Sequence, residues 1–156
     1  MDDFSKIIDR LGFHGPTILG VCSILLLRNQ FVYLMVYVIG FMVNIKINEI
    51  LKLLIKQKRP EGCEEDFKKG DAHYYGMPSG HAQMSFFSVA FTYLVLKNQP
   101  FMIWMSLLGW ITMFQRYNTK CHSIPQLAIG AITGGCVALF IYWMTKYVWK
   151  KYIGLF

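Results

Sequence analysis

Residues 31–55 read FVYLMVYVIGFMVNIKINEILKLLI, and this stretch decides both the fold and where to look for chemistry. Its first half, through Val43, carries no charge. As a helix, 25 residues would run about 37 Å, enough to cross a hydrocarbon layer of about 30 Å. The second half stays apolar overall but takes in Asn44, Lys46, Asn48, Glu49 and Lys52. Polar side chains that deep in a membrane helix face a bundle interior or a water-filled cavity. The stretch therefore predicts a spanning helix with one wet end.

Working outward, the pattern repeats. Residues 3–12, DFSKIIDRLG, read as a short amphipathic helix lying in the membrane interface, and 13–28 as an apolar segment closed by Arg28-Asn29-Gln30. Beyond residue 55 comes a charged, turn-rich loop over 56–78, then apolar runs over 80–96, 101–115 and 124–148. The predicted fold is all-α: one membrane domain over 1–156 with about five transmembrane helices and an N-terminal interfacial helix. Its motif-bearing core covers about 44–135.

Composition agrees. With 54% hydrophobic residues and a mean hydropathy of +0.36, the chain is too apolar for a water-soluble globule of this size. The net charge of +7 comes from Lys and Arg scattered at segment ends, with no basic stripe, which argues against nucleic acid as a partner. The start, Met1-Asp2-Asp3, is acidic where a cleavable signal would be basic, so none is expected. The four cysteines have no metal-ligand spacing. Cys22 and Cys136 fall in apolar runs; Cys63 and Cys121 fall in loops on one side, where a disulfide and two free thiols both stay open.

Three polar islands stand at the ends of the apolar runs. Lys52 and Arg59-Pro60 close the second long segment; seven residues apart, they would share an azimuth if the helix continued to Pro60. Glu49 is placed to pair with Lys52 or with a neighbouring cation. Pro78-Ser79-Gly80-His81 opens a helix, with Ser79 as N-cap and Gly80 letting a ligand approach unpaired backbone N–H groups. Those donors and the positive dipole end suit a phosphate. Arg116 and His122 bracket a further loop, and Ser123 with Pro125 signals another helix start. There a neutral, nucleophilic imidazole is favoured, and Gln126 is expected to orient it through one ring nitrogen. Because the chain reverses at each connection, all three islands share one face. Each island alone has a bland reading as a snorkelling cation, a helix cap or a loop histidine; together they compose a phosphate pocket containing a nucleophile.

The order Lys52-x6-Arg59-Pro60, Pro78-Ser79-Gly80-His81, Arg116-x5-His122 resembles the signature of the phosphatidic acid phosphatase type 2 superfamily, which also includes vanadium haloperoxidases. Gly76-Met77-Pro78-Ser79-Gly80-His81-Ala82-Gln83, with His122-Ser123 through Gln126 and Gly130, is similar to the dolichyl-diphosphatase branch. The chain departs from the family in Gln115, where Ser is common, in Gln126, where Asp is common, and in Cys121, where that branch often has Tyr. The resemblance implies a metal-independent lipid phosphatase without cofactor. His122 would be the nucleophile forming a phosphohistidine, and His81 the acid and then the base. Lys52, Arg59, Ser79, Gly80 and Arg116 would hold the phosphate.

A polyprenyl diphosphate is the expected substrate, with phosphatidate or another lipid phosphomonoester as the alternative. A non-catalytic lipid-binding protein of the same fold is the rival of another class. His73, Tyr74 and Tyr75 are read first as a loop packed on the interface and second as headgroup contacts. Gly130-x-x-x-Gly134-Gly135 is read first as a close helix contact within one bundle and second as a homodimer face. Arg28, Lys97, Lys146, Lys150 and Lys151 mark the side away from the islands as cytoplasmic, while the acidic residues from Asp2 to Asp71 gather on the island side. The site is thus expected on the non-cytoplasmic face of the endoplasmic reticulum, another internal membrane or the plasma membrane.

Overall fold

A computed structural model describes residues 3–63 and 68–152; Asp2, Glu64, Glu65 and Asp66, counted above among the island-side acids, lie outside them. Among the described residues the chain is all-helical: α1 (Asp3–Phe13), α2 (Gly15–Leu27), α3 (Phe31–Ile55), α4 (Gly80–Leu96), α5 (Gln99–Asn118) and α6 (Ile124–Tyr152), with a single 3-10 turn at Ala72–Tyr74. Among the described residues three helical stretches are long and apolar enough to cross a membrane, Ser5–Leu27, Phe31–Ile55 and Ile124–Lys151. The protein is an integral membrane helical bundle.

The interfacial helix and the first span are nearly continuous. The Ile18 N–H still donates to His14 O at 2.9 Å, and the break between α1 and α2 is confined to His14. Alone, the 13 residues of α2 reach only about 20 Å. Gly12 and Gly15 let this corner lie directly on α5, since a Cβ at either would run into Gln115 or Thr112.

Helix α4 is the centre and packs against α2, α3, α5 and α6. Phe87 and Phe91 on it form one apolar cluster with Leu27, Tyr37, Ala138 and Tyr142. Two of its hydroxyls are satisfied across the bundle, Ser88 with Tyr37 at 2.7 Å and Thr92 donating to Ser23 at 2.9 Å, as an apolar surround demands, whereas the buried Ser85 Oγ has no partner among the described residues. The α4–α6 contact is close enough that a side chain at Gly130 would strike the Ser79 backbone, and one at Gly134 the Gln83 backbone. Gly135 faces open space. Gly130 and Gly134 thus serve a contact inside the bundle.

Two expected boundaries move. Helix α3 stops at Ile55, where Lys56 adopts a left-handed φ of 53° and its N–H returns to Lys52 O. Arg59 is therefore not two helical turns above Lys52; it lies on the loop. Helix α5 runs through Asn118, so Arg116 sits in its last turn and only the short segment 119–123 is loop. Asn98 caps its start by accepting from the Phe101 N–H at 3.2 Å.

Candidate active site

The C-terminal ends of α3 and α5 and the N-terminal ends of α4 and α6 meet at one end of the bundle. Between them lies a cavity of about 260 Å³ lined by Lys52, Arg59, Gly80, His81, Arg116 and His122, with Phe13, Asn48, Glu49 and His73 among its further walls. That volume holds a phosphoryl group together with water.

Each cation arrives by its own route. Lys52 is buried on the inner face of α3, and its Nζ donates to Tyr75 O at 2.7 Å. Arg59 is returned by a short pairing of two loop segments, the Lys58–Tyr75 bridge and a 2.8 Å bond from the Gly76 N–H to Gln57 O. Its Nε and Nη2 donate to His73 O at 3.2 and 2.9 Å, and Nη1 donates to Cys121 O at 3.0 Å. Arg116 is buried in the last turn of α5, where the helix dipole favours a cation. Glu49 pairs with Lys46, a neighbouring cation, at 2.8 Å.

Helix α4 is locked to α3 by a buried amide network. Asn48 Nδ2 donates to Pro78 O at 3.2 Å and to Gln83 Oε1 at 2.8 Å, and Gln83 Nε2 donates to Asn44 O at 3.0 Å and Asn44 Oδ1 at 2.8 Å. These polar residues of the opening stretch face the bundle interior. Together they fix the first turn of α4, which presents Gly80 and His81 to the cavity. Phe13 packs on the His81 ring with centroids 5.8 Å apart.

His122 is buried just ahead of α6. Its Nδ1 lies 2.9 Å from Gly76 O, and since a carbonyl only accepts, Nδ1 carries the hydrogen. Nε2 then bears the lone pair, and Arg59 Nη1 donates to it at 3.0 Å. Burial first, then the fields of Arg59, Arg116, Lys52 and His81, hold the pKa of the imidazole down at about 2. The ring is a neutral base surrounded by permanent positive charge.

Two expected site residues stand elsewhere. Ser79 is fully buried and is not among the residues lining the cavity; its Oγ accepts from the Ala82 N–H at 3.5 Å as the α4 cap. Gln126 does not orient His122. Its Nε2 donates to Gln57 Oε1 at 3.1 Å and Lys58 O at 2.9 Å, and its Oε1 accepts from the Ser123 N–H at 3.2 Å. The reason is the approach of the 57–58 and 75–76 segments, which puts Gly76 against both residues: a Cβ there would meet the Gln126 amide at 2.6 Å. The ring's partner is a backbone carbonyl, which no residue type announces.

Cys63 and Cys121 form a disulfide with Cα atoms 4.6 Å apart. Among the described residues no group of three or more His, Cys, Asp or Glu side chains is placed to hold a metal ion.

The PAP2 superfamily pattern matches residues 18–150. The chain belongs to that superfamily. It is 34% identical over 113 residues to lipid phosphate phosphatase gamma of Arabidopsis thaliana, covering 65% of this chain and 49% of that one. To dolichyldiphosphatase 1 of Dictyostelium discoideum it is 27% identical over 146 residues, 86% of this chain and 62% of the relative. Dolichyldiphosphatase of Saccharomyces cerevisiae is 32% identical over 112 residues, 61% and 46% of the two chains. The chain thus spans about half to three fifths of the length of these relatives. No solved structure gives a significant match.

Proposed function

We propose that the protein is a membrane lipid phosphatase that hydrolyses a polyprenyl diphosphate to the monophosphate and inorganic phosphate. The observation that carries this reading is the gathering of Lys52, Arg59, Arg116, His81 and His122 on one cavity, with the Nε2 lone pair of His122 directed at Arg59 and its Nδ1–H tied back. Phosphoryl transfer asks the protein mainly to position groups and to neutralise charge on the equatorial oxygens. Three permanent cations around one neutral imidazole meet both needs.

In the proposed reaction His122 Nε2 attacks the terminal phosphorus, and the bond from that phosphorus to the bridging oxygen breaks. His81 protonates the departing lipid monophosphate. The phosphorylated ring is cationic, and the Gly76 carbonyl accepting from Nδ1–H stabilises it. His81 then takes a proton from water as the water oxygen attacks phosphorus. Inorganic phosphate leaves and the imidazole is restored.

The substrate class rests on the dolichyldiphosphatase relatives and on the cavity's position at the end of an apolar bundle, where a lipid tail stays in the bilayer. Hydrolysis of phosphatidate or a related monoester is the second reading, supported by the lipid phosphate phosphatase relative. We also propose that the site faces a non-cytoplasmic compartment such as the endoplasmic reticulum lumen, because a disulfide beside it persists only under oxidising conditions.

The test is phosphate release by the purified protein in chelator-treated detergent micelles, comparing a polyprenyl diphosphate with phosphatidate. Faster release from the diphosphate is expected, and a preference for phosphatidate would install the second reading. His122→Asn should abolish release and the acid-labile phosphoprotein intermediate; undiminished release would overturn the role of His122.

A further inference from the structure

The loop that carries Arg59 has the Lys58–Tyr75 bridge and the bond from the Gly76 N–H to Gln57 O, but no helix to hold it. Helix α3 ends four residues earlier at Ile55 and α4 begins only at Gly80, and an unrestrained segment of this length loses considerable entropy when it is ordered. Yet Arg59 must keep its Nη1 within 3.0 Å of both Cys121 O and His122 Nε2. One covalent link spans this gap. Cys63, four residues beyond Arg59, is bonded to Cys121, the residue directly before His122 and the one whose carbonyl receives the Arg59 guanidinium.

The backbone on both sides is shaped for this bond. Gly62 has a φ of +89°, open to glycine at no steric cost, and Lys120 a φ of +55°. A Cβ on Gly62 would come 3.2 Å from the Lys120 side chain, so the two turns lie against each other. Cys121 is 1% exposed while Cys63 is partly accessible, which leaves the link open to a small reductant from one side. Cys22 and Cys136 are free thiols on α2 and α6.

We infer that the Cys63–Cys121 disulfide is a positioning element of the reaction, holding Arg59 against His122, so that the enzyme reaches its full rate only in the oxidised form. This rests on the phosphatase reading above. Reduction by a dithiol such as dithiothreitol replaces the S–S bond with two thiols, and the reagent closes to its own cyclic disulfide. The loop regains its freedom and Arg59 leaves the reacting face of the ring.

The test combines reduction with substitution of Arg59, at a temperature where circular dichroism shows every form folded. Alkylation of the unreduced, denatured protein should find two thiols, and of the reduced protein four. Reduction, or Cys63→Ser with Cys121→Ser, should lower kcat/KM roughly tenfold to a hundredfold, the scale of a misplaced reacting group. In an Arg59→Ala background the same reduction should change turnover less than about twofold, because coupled groups are non-additive. Orthovanadate affinity, followed by calorimetry, should fall in parallel. A Cys22→Ser, Cys136→Ser protein should behave as the parent does.

Four thiols in the native protein, turnover indifferent to reductant, or an equal loss with and without Arg59 would each overturn the inference. Turnover that ignores reductant defeats this inference alone. An oxidised protein that neither hydrolyses any lipid phosphate nor binds vanadate defeats the phosphatase reading, and this inference with it.

Discussion

The imidazole of His122 donates from Nδ1 to the carbonyl oxygen of Gly76 across 2.9 Å. A neutral backbone acceptor holds the ring in the tautomer that leaves Nε2 unprotonated, a task often given to a carboxylate. It stabilises the charged ring less than an anion would, and the surrounding cations oppose that charge further. Free imidazole is thereby kept ready, and positive charge on the ring becomes acceptable once a phosphoryl dianion has joined it.

Gly76→Ala tests this directly. The added methyl meets the Gln126 amide at 2.6 Å, and the peptide must move, taking its carbonyl away from Nδ1. Turnover should fall by roughly a hundredfold, as for a reacting group displaced by about an ångström. Histidine-selective NMR should show a loss of the single His122 tautomer.

Gln126→Asp restores the residue common in the superfamily and should fail to improve the enzyme. Gln126 Nε2 supplies the hydrogens to Gln57 Oε1 and Lys58 O. A shorter carboxylate supplies none and leaves acceptors facing acceptors. Gln57 and Lys58 are exposed and water can serve them, but position 126 is buried, so a loss of about 1–3 kcal/mol is expected for the carboxylate left there without donors, seen as a lower unfolding temperature with kcat unchanged or reduced.

The pKa of His122 fixes the sign of a pH effect. Its value falls from 6.5 unfolded to about 2 folded, so between these values the unfolded chain binds the extra proton. Stability is therefore whole above about pH 6.5 and is lost progressively on acidification. The unfolding temperature should drop below that pH more steeply for the parent than for His122→Asn. NMR of the free enzyme should find the ring neutral from pH 5 to 8, roughly the range where an unperturbed histidine titrates.

Gly134→Ala and Gly135→Ala make a matched pair. A methyl at Gly134 runs into the Gln83 backbone, whereas at Gly135 nothing lies within 4 Å. The first should destabilise by about 1–3 kcal/mol, the usual cost of overpacking, and reduce turnover by moving α4; the second should be near neutral. Thermal unfolding in micelles with parallel assays separates them.

Much of the fold was legible because hydropathy and caps speak directly: residues 31–55 and 80–96 are helices over the very spans read from their apolar runs. Lys52, Gly80, His81, Arg116 and His122 were legible as one group because each sits at the wet end of such a run. Arg59 was placed in the right cavity for the wrong reason, since a left-handed Lys56 ends the helix without the Gly or Pro that normally signals a stop. Ser79 was read as both cap and phosphate ligand, and its burial leaves it the first task. Gly76 was missed because its contribution is a carbonyl, which every residue has. The pairing of Cys63 with Cys121 stayed open because it depends on how two loops fold back, and no local pattern encodes that.

The backbone contact of α4 with α6 at Gly130 and Gly134 also bears on how the protein lives in membranes of different thickness. The two helices whose first turns lead from His81 and His122 touch at these two glycines and interlock further along through Phe87, Phe91, Ala138 and Tyr142, so a stretched or compressed bilayer is expected to tilt them as one body. Mismatch would be absorbed by the outer helices, and the interval between the histidines would be the same in a thin membrane as in a thick one.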